Sequence, residues 1–115
     1  RQTNAGLAAL ITATRQWPDY WLPYFLLGNH YYATEPLMAA HWFEQGLPSA
    51  GQQIPFLNNY AVLLSELGCH RQAKTLIAAA LLLAPQDSNL LDSQRQIGVA
   101  EQADNAAASQ CQVST

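Results

Sequence analysis

A proline-marked period constrains this chain more than any other feature. Trp17-Pro18-Asp19 and Ala84-Pro85-Gln86-Asp87 each close an alanine-rich run. Proline ends a helix because it has no N–H to give and biases the residue before it away from helical dihedrals. The two prolines stand two steps of about 33–34 residues apart, the scale of a repeated helical hairpin. Four helix-like segments lie between them, separated by turn signals at Glu35-Pro36, Pro48-Ser49-Ala50-Gly51 and Gly68-Cys69. The pattern predicts helices from Ala5 to Gln16, Leu22 to Thr34, Pro36 to Leu47, Pro55 to Leu67, His70 to Leu83 and Ser88 to Ala103. Asp87 or Ser88 serves as the N-cap of the last one.

Within each period the residue types recur in register. From Ile54 to Asp87 run Leu57, Tyr60-Ala61, Leu64, Gly68, Ala73, Ile77, Ala80 and Pro85. From Trp21 to Gln53 run Tyr24, Leu27-Gly28 and Tyr31, then, after a one-residue deletion at the turn, Ala39, Phe43 and Gly46. Upstream, Gly6, Leu10, Ala13 and Pro18 fit the second helix of a preceding repeat. Small residues at Gly28, Ala39, Ala61 and Ala73 let paired helices approach closely, and the large residues between them fill the remaining space.

This register, sustained over roughly residues 5 to 87, resembles the tetratricopeptide repeat family. Glu35 departs from the family pattern, standing at a turn where small residues are usual. The resemblance implies an all-α fold, a right-handed α-solenoid of antiparallel helix pairs. Residues 1–104 would form the domain: a partial repeat at 5–18, repeats at 21–53 and 54–87, and a capping helix at 88–104. Residues 105–115, rich in Ala, Ser and Gln, read as a flexible tail with nothing to bury.

The resemblance also implies a function, the binding of a peptide or protein segment in a concave groove lined by the first helix of each pair. The groove-facing positions are Leu22, Phe25, Leu26, Asn29, Tyr32 and Ala33 in one repeat. In the next they are Pro55, Asn58, Asn59, Val62, Ser65 and Glu66. Of these, Leu22, Phe25, Asn29, Tyr32, Asn58, Asn59 and Val62 are the expected partner-binding residues. Asn29 and Asn59 stand where the family grips a peptide backbone, an amide offering donor and acceptor together. The plainer reading is that both merely suit a solvated helix surface. Phe25 replaces a lysine that clamps a terminal carboxylate in some members, which argues against that variant of the activity.

Trp17, Tyr20, Trp21, Tyr24, Phe25, Tyr31 and Tyr32 crowd one stretch, making the helix from Trp21 apolar on nearly every side. Burial by the chain's own repeats accounts for most of this. A partner or a second copy would cover the rest, so a self-associating structural module is the alternative function.

Composition excludes other classes. A net charge of −3 and scattered cations offer no basic stripe for nucleic acid. No apolar run approaches the length of a bilayer span. His30, His41 and His70 lie on separate segments without metal-ligand spacing, and no nucleophile motif or phosphate loop occurs, so neither enzyme activity, cofactor nor metal is expected. Cys69 and Cys111 either pair, stapling the tail to the body, or remain free thiols, the reading that two cysteines without other signs of an oxidising compartment favour. The chain begins with Arg1 and shows no secretory leader, as a fragment or processed product would. Its composition suits a bacterial cytoplasm or periplasm alike.

Overall fold

Turn chemistry sets where each helix of the chain begins and ends. The computed structural model describes the backbone of residues 4–107 and 110–113, with side chains described for 5–106 and 110–113. Six helices follow in order: α1 (Asn4–Gln16), α2 (Trp21–Tyr31), α3 (Pro36–Gly46), α4 (Ile54–Glu66), α5 (His70–Leu83) and α6 (Ser88–Ala107). A short 3₁₀ turn, Leu47–Ser49, follows α3. The described residues contain no strand, so the fold is all-α.

Pro36 opens α3 and Pro55 falls at the start of α4, positions whose N–H would have no helical acceptor in any case. Asp87 caps α6, its Oδ1 accepting the N–H groups of Asn89 at 2.9 Å and Leu90 at 3.2 Å. The end of α4 is a Schellman turn. Gly68, at φ +83°, lets Cys69 N–H reach Leu64 O and Gly68 N–H reach Ser65 O. Only a residue without a Cβ adopts that φ at little cost.

Two boundaries differ from the sequence expectation by more than one residue. Helix α2 stops at Tyr31 rather than Thr34 because its end tightens: Thr34 and Glu35 both donate to Tyr31 O. Glu35, placed before Pro36, is pushed to φ −137°, ψ 74°. At the other end, α6 runs to Ala107, beyond Ala103. Residues 104–107 contain no glycine or proline to end the helix, so the start of the expected tail at 105 is helical. Residues 108, 109, 114 and 115 of that tail lie outside the described residues.

The helices gather into two units that divide between Gly51 and Gln52. In the first, α2 packs on α1 and, more extensively, on α3. Its core comprises Tyr24, Leu27, Ala39, Ala40, Phe43 and Ala50. The close approach rests on two glycines. A methyl group at Gly28 would stand 2.7 Å from Phe43 Cζ, and one at Gly46 would run into Tyr24 Cβ. The Tyr24 hydroxyl donates to Pro18 O at 3.0 Å, fastening α2 to the turn after α1.

In the second unit, α4 pairs with α5, and α6 packs against both. Leu57, Tyr60, Ala61 and Leu64 of α4 are buried, as are Ala73, Ile77 and Ala80 of α5. Both units therefore carry a helical hairpin built on the same register of small and large residues. From α6 come Leu90, Ser93 and Ile97, one buried stripe at helical spacing.

Candidate binding surface

Helix α2 ends one residue before Tyr32, which becomes its C-cap, so Leu22, Phe25 and Asn29 are helical and Tyr32 is not. Steps of three and four residues put Leu22, Phe25, Leu26 and Asn29 along one side of α2. Leu22, Phe25 and Tyr32 are half-buried, Asn29 is exposed, and Leu26 keeps 39% of its surface open. Phe25 meets Trp21 edge-on, ring centres 5.6 Å apart. The row is thus apolar with an amide near its end, standing in part toward solvent.

In the second unit, Asn58, Asn59 and Val62 share one side of α4, all half-buried. The Asn58 Oδ1 is buried without a hydrogen-bond partner, so this amide turns inward rather than outward. Val62 borders a recess of about 220 Å³ between α4 and α6, lined also by Ser65, Glu66, Gln96, Ile97 and Ala100. The two sets of candidate residues belong to different units, and each set is assembled by its own helix.

His70 is not the isolated histidine that its sequence context suggests. Its Nε2 lies 2.6 Å from Asp104 Oδ2 on α6, and its Nδ1 lies 3.3 Å from Ser65 Oγ on α4. With a proton on Nε2 directed at the carboxylate, Nδ1 accepts the Ser65 O–H. That order, Ser–His–Asp, is the one that activates a nucleophile. Two features oppose that chemistry here. Ser65 is only 5% exposed, and it sits on the last turn of α4, where the helix presents carbonyl oxygens and negative potential. The amides at that end of α4 are taken up by the turn: Leu67 N–H by Leu63 O, Gly68 N–H by Ser65 O, Cys69 N–H by Leu64 O. The triplet instead ties three helices together with satisfied polar groups. Only the spacing of Ser65 and His70 across the α4–α5 turn hints at it in the sequence.

Cys69 and Cys111 are joined by a disulfide, Cα atoms 4.4 Å apart, which corrects the free-thiol reading. Residues 110–113 lie across the α4–α5 turn, where Gln112 N–H donates to Leu67 O at 2.8 Å. A methyl group at Gly68 would stand 2.7 Å from Gln110 O. Glycine is therefore required twice at this position, for its φ and for the passing chain. Among the described residues, no cluster of three or more His, Cys, Asp or Glu could hold a metal, and no helix is long and apolar enough to cross a membrane.

These features define an all-helical, repeat-like protein with an apolar row on α2 and a disulfide-tied strap over the α4–α5 turn. In comparison with known proteins, the chain matches no family model, no curated protein and no solved structure.

Proposed function

We propose that the chain is a non-catalytic protein-interaction module, its hairpins stacked as a tetratricopeptide-like right-handed solenoid. A peptide or protein segment is held against the first helices, by Leu22, Phe25, Asn29 and Tyr32 of α2 and by Asn58, Asn59 and Val62 of α4. One observation carries the reading: the α2 row stays partly open although almost every residue in it is apolar, with Leu26 exposed beside half-buried Leu22 and Phe25. A helix face of that kind gains free energy from cover, at roughly 25 cal/mol per Å² of apolar surface removed from water. The sequence register supports placing α4 in the equivalent role.

The test is a cross-linking pulldown with the intact chain, followed by titration of the partner it identifies. Phe25→Ala and Tyr32→Ala should each weaken binding by about 2 kcal/mol, as aromatic anchors at interfaces do. Gln72→Ala, on the exposed side of α5, should change little.

The alternative, self-association, has its own observation: Trp17 and Tyr20 on the turn before α2 are 58% and 47% exposed. Sedimentation across concentrations reports it directly. A mass that rises with concentration, and falls back in Trp17→Ala while Phe25→Ala leaves it unchanged, would favour the edge over the α2 row.

A further inference from the structure

We infer that the Cys69–Cys111 cystine is a thiol-exchange site, attacked at Cys111, which releases the strap of residues 110–113 from the α4–α5 turn. The two halves of the bond are unlike. Cys69 is 1% exposed and is the N-cap residue of α5, whereas Cys111 is exposed on the strap. Exchange requires a thiolate to reach one sulfur and expel the other. Burial closes the approach to Cys69 and leaves the one to Cys111 open.

The electrostatics run the same way. Cys69 stands at the start of a 14-residue helix and makes no side-chain cap bond there. Negative charge developing on its sulfur meets the positive end of α5 and amides without a side-chain acceptor. Burial of that charge opposes this, but Cys111, bonded to Cys69, and Gln110, beside Gly68, depart with the strap.

The balance is that of ordinary exchange with a low-molecular-weight thiol or a dithiol oxidoreductase. The incoming thiolate bonds to the Cys111 sulfur, and the electron pair of the old S–S bond passes to Cys69, which takes a proton from water. A second thiolate then attacks the mixed disulfide, leaving an oxidised reagent and two protein thiols, a two-electron reduction overall.

What is released is small. Among the described residues, the hydrogen bond from Gln112 N–H to Leu67 O joins the cystine in holding the strap to the turn. It borders a recess of about 350 Å³ shared by Cys69, His70, Arg71, Glu101 and Asn105. Helix α6 has separate attachments: His70 to Asp104, Lys74 to Glu101 at 3.0 Å, and the buried Leu90 and Ile97. Reduction therefore opens the recess without undocking α6. An oxidising compartment keeps the strap closed, and a reducing one holds it open.

The oxidised intact chain is incubated with reduced glutathione, quenched with acid, and mapped as peptides divided after Arg71 and Arg95. The first adduct should sit on Cys111, at least about tenfold over Cys69, with a rate proportional to glutathione and helical circular dichroism unchanged. An adduct mainly on Cys69, or a rate independent of glutathione and so limited by unfolding, overturns the assignment. In Cys111→Ser, Cys69 should react with a maleimide at nearly the rate of a small free thiol. Persistent protection of Cys69 in that folded variant would show that the strap stays down, and would overturn the release.

Discussion

Gly28 and Gly98 are both helical glycines, and the side chains around them give them opposite value. A Cβ at Gly28 would press on Phe43 Cζ, Cε1 and Cε2, while one at Gly98 would meet nothing within 4 Å. Phe43 is fully buried and has little room to yield. Gly28→Leu should therefore cost about 1–3 kcal/mol or more through overpacking, with Ala73→Leu comparable in the other hairpin. Gly98→Ala should instead stabilise by about 0.5–1 kcal/mol, the ordinary helix preference for alanine. Urea denaturation of the three variants checks this. If Gly28→Leu melts with the parent, Phe43 does not fill the place assigned to it.

The elements are held by two kinds of tie, and the two differ in how visible they are in the sequence. Helices α1 to α5 could be located because period, proline and glycine act locally: Pro36, Pro55 and the Gly68 turn each fix a boundary from neighbouring residues. The errors arise where a boundary depends on a continuation, as at α6, or on backbone tightening, as at the end of α2. Long-range ties obey no period. Asp104 lies 34 positions beyond His70 and Cys111 lies 42 beyond Cys69, so neither pair could be derived from spacing. In the candidate surface, the apolar crowding of α2 is visible in the sequence, whereas the choice of Leu22, Phe25 and Asn29 within it comes from the family resemblance. The inward turn of Asn58 is not visible, because register gives a face but not a side-chain rotamer.

The His70–Asp104 contact makes a testable claim about α6. In a double-mutant cycle with His70→Ala and Asp104→Asn, each single change should destabilise, and the coupling should come to about 1 kcal/mol. That is below the range for a fully buried charged hydrogen bond because Asp104 is partly solvated. Zero coupling in urea melts would mean that α6 is held by its apolar stripe alone.

At the scale of the whole molecule, the cystine joins residues separated by 42 positions. In the loop-closure account, opening a ring of that size costs about 4 kcal/mol of stability, though native bridges commonly give about 2–4. Cys69→Ser/Cys111→Ser should lose that amount in denaturant while keeping its helical content. A midpoint equal to that of the oxidised parent would show that the cystine contributes nothing to holding the fold.

The same bridge changes how the chain carries load. Tension applied to the two ends would travel along the backbone to Cys69, cross the sulfurs, and leave from Cys111, bypassing α5 and α6 entirely. Stretching would lengthen the remainder and leave a slack covalent circle that never straightens. About 140–150 Å of contour is withheld in this way for the 42-residue separation. In an optical trap, full extension of the oxidised chain should fall short of the reduced chain by that length, and addition of a reducing agent under load should deliver it in a single step.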